Sequence, residues 1–221
     1  MTELERFLTV VRFDQPDYWP LINAPGLGYV HQGGLPKLHQ EGLPEEVNSF
    51  ETWLTYWGQC GFENVAGIGR EAPGIASESW IEGEFEYVRR ETGALTKQVL
   101  DNAITYSMPE FIEFDVRDRP SWETFRELST PRSNHDIEAQ AALLDNRTRP
   151  ARVAAGSTWG NVRSWMGPER ALLGIYDETA LIREMIEWQT WLFEEFTVPV
   201  IERYRPEVVS MWEDFAYNHG M

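Results

Sequence analysis

Apolar residues recur at helical spacing from the start of the chain. Leu4, Phe7, Leu8 and Val11 share one face of a helix predicted over residues 3 to 11. Pro16 and Pro20 break that pattern. Residues 21 to 48 are rich in Gly and Pro and predict a loop or a set of short turns, too long to be an idle connection. A helix is predicted over residues 45 to 57, ahead of Gly58, Gly61, Gly67 and Gly69. The period then changes. Phe85, Tyr87 and Arg89 alternate with polar residues, Glu91-Thr92-Gly93 reads as a turn, residues 94 to 100 return as a strand, and residues 108 to 114 alternate again. Together these predict a small β-meander between residues 81 and 116. Ser121 is the predicted N-cap of a short helix, with Trp122 and Glu123 in its first turn and Phe125 and Leu128 on its apolar side.

The second half reads differently. Residues 134 to 146 are predicted helical, and residues 152 to 156 form a short apolar strand ending in Gly156. Residues 159 to 166 look like a strand-to-helix connection. The strongest helical pattern begins near Asp177, with Leu181, Met185, Trp188, Leu192 and Phe196 on one face, and Pro199 is expected to kink or end it. A further turn over residues 200 to 204 leads to a final strand at Val208 and Val209. The expected organisation is thus a mixed α+β region over residues 1–150 and a strand-helix-strand unit over residues 151–221. The latter implies a parallel sheet with a right-handed crossover, and two parallel strands do not make a stable sheet alone.

Composition narrows the class. Hydrophobic residues make up 42% of the 221, and ten Trp, eleven Phe and eight Tyr are too many for a disordered chain. No apolar run approaches the roughly 18 residues that a membrane span needs, and the acidic, amphipathic start does not resemble a signal peptide. One cysteine, Cys60, allows no internal disulfide and no multi-thiolate zinc site, and fits a reducing, cytoplasmic setting. The net charge of −17 opposes nucleic-acid binding and repels polyanions at long range.

Candidate chemistry gathers in the second half. Glu213 and Asp214 follow the final strand directly, where α/β enzymes place acids, bases and ligand-binding carboxylates. The alternative for such an acid is a helix N-cap or a solvated loop position. In the run 161 to 167, Arg163 is suited to bidentate carboxylate binding and Trp165 to stacking on a planar ring, the alternative being packing in a first helical turn. His31, His39 and His135 have no ligand spacing; His219 lies near Glu213 and is a candidate by position. Gly67-Ile68-Gly69-Arg70 lacks the full dinucleotide pattern.

Read in order, Asn161-Val162-Arg163-Ser164-Trp165-Met166-Gly167, Leu172-Leu173-Gly174-Ile175-Tyr176-Asp177 and Trp212-Glu213-Asp214-Phe215-Ala216-Tyr217-Asn218-His219-Gly220 resemble the uroporphyrinogen decarboxylase superfamily, in its methyltransferase-like branch. Glu5-Arg6-Phe7-Leu8, Val11 to Pro16 and Ser107 to Phe114 fit the same likeness. The resemblance implies a (β/α)₈ TIM barrel with its site at the carboxyl face, of which this chain is expected to hold an N-terminal extension and the first strands. It implies catalytic roles for Glu213 and Asp214, and substrate-binding roles for Gly156, Arg163, Trp165, Tyr217 and His219. It also implies methyl transfer with a corrinoid protein or small methyl donor, with zinc and a corrinoid as possible cofactors. Tetrapyrrole decarboxylation, which needs no cofactor on this fold, is the alternative. Against it, residues 20 to 32 hold no arginine where true decarboxylases carry an arginine-rich loop. A third reading is a non-catalytic subunit paired with a second chain that completes the barrel.

Overall fold

The computed structural model describes residues 1–22, 35–65, 75–100, 109–131, 144–211 and 213. The predictions for residues 67 to 70, most of the predicted helix 134 to 146, and Asp214, Tyr217 and His219 lie outside the described residues.

Helix α1 (Glu3–Val11) opens with a capping box, in which Thr2 and Glu5 satisfy each other's backbone amides. Its buried Arg6 makes a two-pronged contact with Asp17, at 2.7 and 2.9 Å. Strand β1 (Leu21–Ile22) follows, then helix α2 (Leu35–Gln40) and helix α3 (Phe50–Trp57). The latter is shorter than predicted because Ser49 caps it, and Gly58 ends it at φ +59°. Strands β2 (Gln59–Cys60) and β3 (Glu63–Val65) come next, separated only by Gly61 and Phe62.

The meander is present, with four strands: β4 (Ser77–Glu82), β5 (Phe85–Arg90), β6 (Leu95–Val99) and β7 (Glu110–Glu113), paired antiparallel in that order. Strand β4 is the unpredicted one. None of its six residues is buried, so burial imposes no alternation on its sequence. Thr92 and Asp115 are both buried, and the threonine hydroxyl donates to the carboxylate, which ties the β5–β6 turn to the far end of β7. Helix α4 (Arg119–Ser129) starts earlier than expected. Asp118 is its N-cap, and Ser121 is the third helical residue, closing a capping box on Asp118.

Strand β8 (Ala151–Ala154) leads into helices α5 (Trp159–Met166), α6 (Pro168–Asp177) and α7 (Thr179–Leu192). A π-helical turn (Phe193–Thr197) then joins α7 to helix α8 (Val198–Tyr204), and strand β9 (Val208–Ser210) follows. The α-helical pairing of α7 stops at Leu192, ahead of Pro199. The proline occupies the first turn of α8, where its missing amide costs nothing, and the π turn ahead of it absorbs the change of register.

The fold is mixed α/β, with parallel and antiparallel sheets. Strand β1 pairs parallel with β2, Leu21 opposite Gln59. Strands β3, β8 and β9 form a parallel sheet with β8 in the middle, Glu63 opposite Ala151 and Arg152 opposite Val208. In the three-stranded sheet the strands neighbour one another in sequence order, and the β1–β2 pair forms a separate sheet, with two residues between its second strand and β3. No closed barrel forms among the described residues.

Three clusters of buried apolar residues form among the described residues, the smallest being Leu35, Val47 and Trp53 around α2 and α3. Ala151 and Val153 of β8 pack with Leu144, Val200 and Tyr204, so α8 covers the sheet as its crossover helix. A larger core joins Val116, Trp122 and Phe125 to Val162, Met166, Ala171, Leu181, Ile182 and Met185. It draws on both sides of the division expected at residue 150, and fixes the helix after the meander against the three helices that follow β8.

Candidate functional site at the carboxyl end of the parallel sheet

Strand β8 ends at Ala154, and Gly156 turns the chain away at φ +78°, a left-handed conformation that glycine adopts without strain. Helix α5 begins three residues later with no side-chain cap of its own. Its amides are satisfied from a distance. The Glu213 carboxylate, beyond the end of β9, accepts from the backbone N–H of Thr158, of Trp159 (3.2 Å) and of Gly160 (3.1 Å). Burial pushes the Glu213 carboxyl up, but the amides outweigh it and hold the group below the ordinary glutamate value. A negative charge here also complements the helix dipole.

Beside this cap lies a cavity of about 160 Å³ lined by Ala155, Gly156, Ser157, Thr158, Asn161, Gln189, Thr190, Leu192, Phe193 and Met211. None of these side chains is charged. The polar wall is organised by Gln189, which is 8% exposed. Its Nε2 donates to the Thr158 carbonyl (2.9 Å), and its Oε1 accepts from Asn161 Nδ2 (2.9 Å). Leu192, Phe193 and Met211 supply the apolar wall. Phe193 opens the π turn, a feature that recurs at functional sites. The cavity has room for several waters or a small ligand, and its lining suits a neutral one offered amide and hydroxyl groups.

The sequence-predicted residues do not all meet here. Gly156 lines the cavity, and Glu213 caps the helix whose first residues border it. Trp165 packs with Phe125 (4.7 Å between ring centroids), Trp188 (5.8 Å) and Trp122 (6.2 Å) in the larger core. Arg163 is half-buried on α5 and is not among the lining residues. The residues that sequence reasoning passed over are Asn161 and Gln189. A signal for Gln189 was present: it continues the buried stripe of Leu181, Met185, Leu192 and Phe196, and a polar residue in such a stripe must find internal partners. The stripe passes through Gln189, while Trp188, the expected member, is only partly buried.

Among the described residues, no three of His, Cys, Asp and Glu come together in a way that would hold a metal ion. No described helix is long and apolar enough to cross a membrane.

A second, larger opening of about 640 Å³ lies between the end of the meander and α6, with Ile112, Phe114, Met166 and Leu173 among its walls. Gly167 sits in it at φ +81°, so close to Phe114 that a Cβ would stand 2.5 Å from the ring.

Comparison of the chain with protein-family models, with curated proteins and with solved structures finds no match.

Proposed function

We propose that the parallel strands are the first wall of a (β/α)₈ barrel of the uroporphyrinogen decarboxylase type, and that the cavity beyond β8 is part of the substrate site of a methyl-transfer enzyme. One observation carries this reading. The parallel strands β3, β8 and β9 neighbour one another in chain order, and β1 pairs parallel with β2 just before β3. A barrel is wound in that way, whereas a doubly wound sheet reverses its order part-way. The cavity lies at the carboxyl end of a central strand, where barrels bind their ligands.

In this reading Gln189, fixed by Thr158 and Asn161, orients a neutral polar group of the methyl donor, and Leu192, Phe193 and Met211 keep water from the methyl carbon. Glu213 acts indirectly, by holding the start of α5 and with it Thr158. Asp214 as a further acid, and Tyr217 and His219 as substrate-binding residues, lie outside the described residues and keep the roles that the resemblance implies. The described residues do not form a zinc site, and the cavity is far too small for a corrin ring, so no step is assigned to either group.

Methyl transfer is favoured over tetrapyrrole decarboxylation by the lining of the cavity. Its described lining contains no Lys or Arg, and burying several carboxylates without cationic partners costs several kcal/mol each. The subunit reading draws support from the outer edges of β1 and β9, which a second chain could extend.

The test is ligand-observed NMR with small methylated amines, thioethers and methoxy compounds, on the wild-type chain and on Gln189→Leu. Saturation transfer to at least one class, lost in the variant, is expected. Equal transfer to both proteins, or none to either, would remove the cavity from consideration. Carbon dioxide release from uroporphyrinogen would replace methyl transfer with decarboxylation.

A further inference from the structure

Helix α6 is apolar on two faces. Ala171 and Gly174 point inward, and a Cβ on Gly174 would lie 3.3 Å from Ile182. On the outside, Leu172, Leu173 and Tyr176 lie at positions i, i+1 and i+4, side by side on one face of the helix. Leu172 is 57% exposed, Leu173 56% and Tyr176 85%. Across the 640 Å³ groove, Ile112 of strand β7 is also exposed, and β7 is an outer strand of the meander. Leu173 of α6 and Ile112 of β7 therefore stand exposed in the walls of one groove, which Phe114 and Met166 also line. Surfaces of this kind mark interaction sites.

The charges around the groove indicate what fits. Its two arginines are already engaged: Arg117 with Glu113 at 2.7 Å, and Arg170 with Glu178 at 2.5 Å. Glu169 and Asp177 line the same groove and make no ion pair with a described residue. The rim is thus left acidic, on a chain of net charge −17. A second copy would bring like charge against like charge across the groove, which costs association. A basic segment meets no such penalty.

We propose that the groove between β7 and α6 is a docking site for a basic amphipathic segment of a partner protein, one that presents a row of apolar side chains to Ile112, Phe114 and Leu173 and flanking Lys or Arg to Glu169 and Asp177. This site is separate from the cavity beyond β8, and stands whether or not that cavity binds a methyl donor.

The test uses the full chain and a fluorescein-labelled 14-residue amphipathic helix built only of Leu and Lys, with its Leu/Glu counterpart as control, followed by anisotropy at low and moderate salt. The Lys peptide binds and the Glu peptide does not. Leu173→Asp, an exposed position that leaves the fold intact by circular dichroism, weakens binding at least about tenfold. The double reversal Glu169→Lys with Asp177→Lys weakens it by a similar factor at low salt. Glu202→Lys, on the exposed side of α8, leaves it within about twofold. If Glu202→Lys weakens binding as much as the groove variants, the peptide is reading net charge and the proposal fails. It fails equally if Leu173→Asp has no effect, or if sedimentation shows a dimer of the chain that Leu173→Asp abolishes.

Discussion

Glu207 and Glu213 hold the two ends of β9 against the two ends of β8. Glu207, just before β9, accepts from Arg147 at 2.5 Å and from the Ala151 amide at the start of β8 (2.7 Å). Glu213, just after β9, gathers the amides that open α5, beyond the end of β8. A three-residue strand contributes few ladder bonds. Carboxylates at both ends supply, through charge-assisted hydrogen bonds, the registration that so short a strand cannot supply alone.

Glu213→Ala removes the acceptor for three amides and leaves α5 uncapped. The expected loss is about 1 kcal/mol of stability, the usual cost of a lost helix cap, measured by urea unfolding. Glu213→Gln keeps an acceptor but loses the charge, and falls between. Because the folded-state pKa of Glu213 lies below its unfolded value, its contribution is full above the unfolded glutamate value of about 4.3. It is lost as pH falls through the lower folded value. The wild type should therefore lose stability on the acid side more steeply than Glu213→Ala. Parallel acid limbs would show that the carboxylate is not engaged in solution.

Glu207→Ala strands the guanidinium of Arg147, whose other contact is the Leu144 carbonyl at 3.2 Å. The pair is only partly exposed, at 19% for Arg147 and 12% for Glu207. Breaking it is expected to cost about 2 kcal/mol, less than a fully buried pair would. Burial raises the Glu207 carboxyl, but Arg147 and the Ala151 amide together bring it below its ordinary value, so this stability too disappears toward low pH. Arg147→Ala and the double variant complete a thermodynamic cycle. A coupling energy near zero would count against the pairing.

Gly167→Ala meets two obstacles at once. Its φ of +81° and ψ of 152° suit only glycine, and the new Cβ would stand 2.5 Å from Phe114 Cε2. A loss of about 2–4 kcal/mol is expected from strain and overpacking together. Adding Phe114→Leu should relieve the steric part and leave the backbone part. Simple additivity of the two substitutions, read from thermal unfolding, would mean that ring and glycine do not touch.

Gln189→Leu takes the acceptor from Asn161 Nδ2 and one of the donors from the Thr158 carbonyl, in a partly buried setting. The expected cost is about 1–3 kcal/mol, with faster amide exchange at the start of α5 than in the wild type. Gln189→Glu keeps the shape and one acceptor but introduces charge into an uncharged cavity, and its carboxyl should titrate well above an ordinary glutamate. Unchanged exchange in Gln189→Leu would show that the Thr158–Gln189–Asn161 chain does not organise the cavity.

The sequence by itself determined the elements wherever one period ran unbroken over several residues. The helix Glu3–Val11, three of the four meander strands and the strand-helix-strand unit with parallel β8 and β9 follow from spacing, because burial on one face of a helix or strand writes its period directly into the chain. It also contained both meanings of Glu213, an acid at a strand end or a helix cap, without the means to choose between them. Tertiary structure decided what depends on distant partners. The donors to Glu213 lie more than fifty residues before it, Trp165 finds Phe125 across forty residues, and Gln189 is polar in a buried stripe only because Asn161 and Thr158 face it. Hydrogen bonds and ring contacts between residues far apart in the chain leave no periodic trace. The capping of α5, the uncharged wall of the cavity and the uncovered face of α6 could therefore be read only once the elements were packed.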